Sequence, residues 1–177
     1  AEATNTFTIT AASMTVTAEG YSGTYDGKEH GIIVTAPEGA KVMYGTKKDT
    51  YDLETSPTYT DAGTYKVYYQ VTQANYDVIA DSATVSIAKA AGGLTYSAAT
   101  ASAELNGDGW TAPELQNPNN QTVTYTSSNT AVATISEAGV VTLAGIGETT
   151  IKAASAGDTN HEASEAQYVL TVSRGKA

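Results

Sequence analysis

Asp61-Ala62-Gly63-Thr64-Tyr65-Lys66-Val67-Tyr68-Tyr69-Gln70-Val71-Thr72 is the stretch whose reading decides the fold. From Tyr65 onward its side chains alternate with period two. Tyr65, Val67, Tyr69 and Val71 fall on one face, and Lys66, Tyr68, Gln70 and Thr72 on the other. One apolar and one polar face describe a strand packed on a core on one side only. Asp61-Ala62-Gly63 supplies turn chemistry just before it.

The same alternation recurs outward in both directions. It is clear in Thr6–Thr10, Met14–Thr17, Ile32–Thr35, Lys41–Tyr44 and Thr84–Ile87. The second half adds Gln121–Thr126, Ala131–Ile135, Val140–Leu143, Thr149–Ala153 and Gln167–Val172. Asp26-Gly27, Pro37-Glu38-Gly39, Gly107-Asp108-Gly109 and Ala138-Gly139 punctuate these runs. Many short strands between such turns predict an all-β chain of sandwiches. At most a helical turn is expected, near Leu105 or in Asp158–Glu165.

Composition agrees. The chain of 177 residues holds 12 Tyr but one Phe, one Trp and no Cys. Disulfides, thiolate metal sites and Cys nucleophiles are therefore excluded. Nine Lys plus Arg against 19 Asp plus Glu give a formal charge of -10. That surface repels phosphate backbones, so nucleic acid is not an expected partner. No run of about 20 apolar residues exists, so no membrane insertion is expected of this segment.

The predicted boundary lies near Ala88–Gly93, a run of small residues that reads as flexible. It gives a first domain over 13–90 and a second over 91–177. Residues 1–12 read either as the closing strand of an upstream domain or as the first strand of domain 1. The apolar phase shifts between Ile9 and Met14, and a one-residue slip turns every side chain to the other face.

Asp61-Ala62-Gly63-Thr64-Tyr65 resembles the tyrosine corner of immunoglobulin domains. The resemblance implies structural roles for Asp61, Gly63 and Tyr65. The Tyr65 ring would pack inward while its hydroxyl bonds to upstream backbone. Val67 stands where antibody domains place a core Cys. Tyr25-Asp26-Gly27-Lys28, Pro57–Tyr65 and Ala83–Ala90 make the first half similar to Ig-like modules of bacterial surface proteins. Val123–Ile135, Gly139–Thr142 and Gly147–Ile151 make the second half resemble the bacterial Ig-like group found in intimin and invasin. The implied fold is two tandem Ig-like antiparallel β-sandwiches. The implied setting is extracellular, at a bacterial cell surface. The implied work is that of a non-catalytic spacer, stalk or adhesin module whose partners are neighbouring domains of the same polypeptide. The alternative is a glycan-binding or accessory module of a glycan-degrading enzyme, with a host or dietary glycan or a host surface protein as partner.

Site chemistry is sparse. His30 and His161 sit in polar turns with no nucleophile motif beside them, so no catalytic residue is expected. Asp49-Thr50-Tyr51-Asp52-Leu53-Glu54 and Asp158–Glu162 gather oxygen ligands without matching a Ca²⁺ loop. Ca²⁺ is the one cofactor they suggest. Trp110 is either a glycan platform or a staple holding its loop to the sandwich. Tyr44, Tyr51, Tyr59 and Tyr68 are the corresponding glycan-contact candidates in the first half.

Overall fold

The computed structural model describes residues 9–107 and 109–175. The expected strand Thr6–Thr10 lies mostly outside them. Among the described residues there is no helix. The chain is all-β and divides into two compact units, Ala1–Ala88 and Lys89–Ala177.

The first unit contains β1 (Thr17–Glu19), β2 (Tyr21–Thr24), β3 (Ile33–Thr35), β4 (Lys41–Gly45), β5 (Gly63–Thr72) and β6 (Ile79–Ala88). β1 pairs with β3, and the other four form a sheet in the order β2-β6-β5-β4. The alternation of β5 appears directly in its burial, with Val67, Tyr69 and Val71 inside. Ile32, Val85 and Ile87 complete that core. Met14, Val16, Ala18 and Val34 pack onto it from the β1–β3 side. The chain switches sheets at Gly20, between β1 and β2. A side chain at Gly20 would place its Cβ 2.3 Å from the Thr84 carbonyl oxygen, so only glycine lets the chain cross there. Ala12 bridges Tyr76 in parallel, while Ile9 is almost fully exposed.

The second unit contains β7 (Thr95–Tyr96), β8 (Thr100–Leu105), β9 (Leu115–Gln116), β10 (Thr124–Ser127), β11 (Ala133–Ile135), β12 (Val141–Leu143), β13 (Gly147–Ser155) and β14 (Ser164–Arg174). Its main sheet runs β10-β13-β14-β8, with β7–β9 and β11–β12 as two ribbons. Ile151, Tyr168, Leu170 and Val172 of the sheet meet Val132 and Ala133 in the core. The pairings are antiparallel except for one pair in each unit, β2 with β6 and β14 with β8. Both exceptions set a short strand, β2 or β8, at the sheet edge beside a long closing strand.

The segment read as a flexible linker is bonded into the second unit. Ala90 N–H donates to Asn160 O, and Glu162 N–H donates to Ala90 O, both at 2.8 Å. Lys89 Nζ donates to Asp158 O. Asn119 Nδ2 donates to the carbonyls of Ala91 and Gly92. Small residues here permit close backbone pairing with the 158–162 loop; they do not leave the segment free.

Candidate functional site

Gly45 determines what stands on the outer face of the first unit's main sheet. It pairs across to Tyr68 of β5, and Ser82 of β6 pairs to Tyr68 from the other side. Cross-strand partners share a face, so Tyr68 stands between two small residues. The position a Cβ would take on Gly45 is filled by the Thr50 carbonyl. Its missing side chain therefore seats the 46–52 loop directly on the sheet. A tight turn closes that loop, with Thr50 N–H on Lys47 O and Asp49 at φ 61°. The result is a cleft of about 260 Å³ lined by Lys48, Asp49 and Tyr51 of the loop, Lys66 and Tyr68 of β5, and Ala80, Asp81 and Ser82 of β6. Lys66 Nζ lies 5.7 Å from the Tyr68 ring centroid, within cation–π range.

The four tyrosine candidates therefore separate. Tyr51 and Tyr68 come together in the cleft. Tyr44 and Tyr59 pack against the first core instead. Tyr44 is also tied through its backbone to Leu53. Burial raises its phenol above the ordinary value. Tyr59 stacks on Tyr65 and exchanges two backbone hydrogen bonds with His30.

At the tyrosine corner, the Tyr65 hydroxyl donates to Asp61 O at 3.1 Å. The ring packs on the core but is half-buried rather than fully enclosed. Gly63 opens β5 with its Cα close under that ring, where a Cβ would stand 2.8 Å from the Tyr65 hydroxyl.

Trp110, in the second unit, is half-buried and packs against the core of Ile151, Tyr168 and Leu170. Its Nε1 is closed off and has no hydrogen-bond partner. The residue also borders a groove of about 360 Å³ with Ser102, Glu104 and Thr111.

Both histidines are loop residues, yet their side chains are largely shielded, at 15% and 16% exposure. His30 Nε2 lies 2.9 Å from Asp26 Oδ1, and Tyr21 stacks on the ring at 3.7 Å. His161 Nδ1 lies 3.0 Å from Asp158. Each pair fastens a loop. The His30 bond first, and the Lys28 N–H second, hold the Asp26 carboxyl below the ordinary range. His161 and then the Asn160 N–H do the same for Asp158. Among the described residues no three His, Asp or Glu side chains converge as a metal site would require. Asp158, one of the suggested Ca²⁺ ligands, is engaged with His161 and the Asn160 N–H.

Ser127–Ala133 lies in the stretch that carries the family resemblance, but what it builds was not legible in that stretch. Thr149 Oγ1, almost fully buried, lies 2.8 Å from Ser127 Oγ and accepts the Asn129 N–H at 2.9 Å. Ser127 Oγ donates to Ala133 O, and Asn129 Oδ1 accepts from Ala131 N–H. The Ser127–Ala133 stretch is thus part of a structural knot joining β10, β11 and β13. A Thr in line with the apolar Ile151 and Ala153 was the available signal.

Residues 110–166 match the family model of the bacterial Ig-like domain, group 2. The resemblance drawn for the second half therefore holds over these residues. No curated protein matches the sequence. Solved structures similar to the chain include Drosophila N-cadherin EC1-4, at 7% identity and TM-score 0.39, covering 93% of this chain and 48% of that one. A SusE-like surface located polysaccharide binding protein from Bacteroides thetaiotaomicron is 14% identical with TM-score 0.32, over 94% of this chain and 34% of that one. The fibronectin(III)-like modules of Clostridium thermocellum CbhA are 14% identical with TM-score 0.33, over 90% and 95%. The chain thus spans about half or less of the cadherin and the polysaccharide-binding protein. Likeness at this level concerns the fold alone.

Proposed function

We propose that this chain is a pair of non-catalytic Ig-like modules acting as a structural spacer or stalk in a bacterial surface or secreted protein. The placement of Trp110 carries that reading. The residue best suited to stack on a ligand packs instead on the core formed by Ile151, Tyr168 and Leu170, with its N–H closed off. The part of the indole packed on that core contributes to folding. Tyr44, Tyr59 and Tyr65 are used the same way in the first unit.

A glycan array with the whole chain and with Trp110→Ala tests the proposal. The expected result is that no saccharide signal depends on Trp110. A reproducible affinity abolished by Trp110→Ala, with the fold intact by circular dichroism, would overturn it in favour of a glycan-binding module centred on that residue.

A further inference from the structure

We propose that the cleft between the 46–52 loop and strands β5 and β6 binds a neutral saccharide, with Tyr68 and Tyr51 as its aromatic walls. The inference is independent of the spacer role, since it concerns another unit and other residues.

The cleft is constructed by backbone features. Gly45 alone admits the Thr50 carbonyl beside Tyr68, which brings Tyr51 and Lys48 against the sheet. Gly45 and Ser82, the two cross-strand neighbours of Tyr68, are small, so neither crowds its ring. These two tyrosines differ from the others of the first unit that pack on the core, because the cleft holds them together on the outer face. A pyranose presents a face of C–H groups to an aromatic ring and a rim of hydroxyls that both donate and accept. The cleft offers both halves of that match. Asp49 and Asp81 carboxylates accept, Lys48 and Lys66 ammonium groups donate, and the Ser82 hydroxyl does either. Two cations against two anions leave no net charge to select an ionic ligand. The acidic chain as a whole disfavours uronate or sulfated glycans. The cleft is open and of modest volume, so affinity on the order of millimolar is expected.

The test uses the whole chain labelled with ¹⁵N, titrated with maltohexaose, cellohexaose, xylohexaose and mannohexaose, and with trigalacturonate as the acidic comparison. At least one neutral oligosaccharide should shift the amides around Tyr51, Tyr68 and Ser82 in a saturable way. Tyr68→Ala should weaken that binding about tenfold, and Tyr68→Phe should retain most of it. Thermal unfolding of each variant checks that the fold is kept. If Tyr68→Ala fails to fold, Tyr51→Ala, in the loop, carries the same expectation. Absence of saturable shifts with all four neutral sugars overturns the proposal. So does binding that survives both alanine variants, or a preference for trigalacturonate.

Discussion

The Tyr59 and Tyr65 rings lie face to face, their centroids 4.0 Å apart and their planes 7° from parallel. Tyr59 braces the turn into β5 from the side, while the Tyr65 hydroxyl ties back to Asp61 O. The second unit has a tyrosine of opposite character. Tyr168 is 1% exposed, and its hydroxyl is buried without a partner.

Removing those two hydroxyls should therefore have opposite effects. Tyr65→Phe loses a hydrogen bond near the surface and should cost about 0.5 kcal/mol, the low end for one such bond. Tyr168→Phe removes an unsatisfied polar atom from the core and should be neutral or stabilising by up to ~1 kcal/mol. Urea denaturation of both variants measures this. A Tyr168→Phe variant less stable than Tyr65→Phe would contradict the assignment of partners.

Thr149 should prove the most sensitive polar position in the second unit. Thr149→Val keeps shape but leaves the Asn129 N–H without its acceptor and the Ser127 oxygen without the Thr149 hydroxyl as donor. The expected cost is about 1–3 kcal/mol. Thr149→Ser keeps the oxygen and should recover most of it. Equal stability of the Val and Ser variants would show that the knot contributes nothing.

The long strands were legible because their burial follows strict alternation. β5, β6 and β14 each have an inward row rich in large apolar residues, and β13 keeps the same period with Thr149, Ile151, Ala153 and Ser155 inward. β2 (Tyr-Ser-Gly-Thr) and β8 (Thr-Ala-Ser-Ala-Glu-Leu) were missed, for a physical reason. Both are edge strands held by parallel pairing to a long neighbour, so their own side chains need little β preference. The Tyr65–Asp61 tie was implied by the resemblance of Asp61–Tyr65 to a tyrosine corner. The cleft was not. Tyr51 and Tyr68 were named among the glycan candidates, but their meeting depends on Gly45, whose missing side chain matters only once the loop is folded onto the sheet.

Stability should fall away at both ends of the pH scale. Asp26 and Asp158 have folded pKa values below the ordinary 3.8. Such groups stabilise the fold at pH above the unfolded value, and that contribution disappears as pH drops through the folded one. The Asp26→Asn, Asp158→Asn double variant should show a flatter acid limb in the urea midpoint between about pH 5 and pH 2. At the alkaline end, burial first and then Tyr168 and Tyr125 push Tyr96 up to about 12. Burial also raises Tyr168, Tyr69 and Tyr44. A neutral phenol favoured by the fold stabilises it below the ordinary value of 10, and the benefit is lost as pH rises from there through the folded pKa. Tyrosinate absorbance should accordingly develop in two stages. A single stage at the ordinary value, or parallel acid limbs for wild type and double variant, would count against these placements.

Trp110 and Tyr68 should separate stability from recognition. Trp110 packs on the second core, so Trp110→Ala should destabilise by about 3 kcal/mol, the lower end for a buried Trp since this one is half-buried. Trp110→Phe gives up no hydrogen bond, because Nε1 has none, and should cost less than about 1.5 kcal/mol. Neither change should alter a saccharide profile. Tyr68 stands on the outer face between Gly45 and Ser82, so Tyr68→Ala should leave the urea midpoint nearly unchanged and weaken saccharide binding about tenfold. Paired denaturation and titration on the three variants give the comparison. If Trp110→Ala abolished binding without loss of stability, the indole would be a ligand platform and the spacer reading would fall. If Tyr68→Ala cost as much stability as Trp110→Ala and left the titration unchanged, Tyr68 would be a packing residue and the cleft would have no ligand.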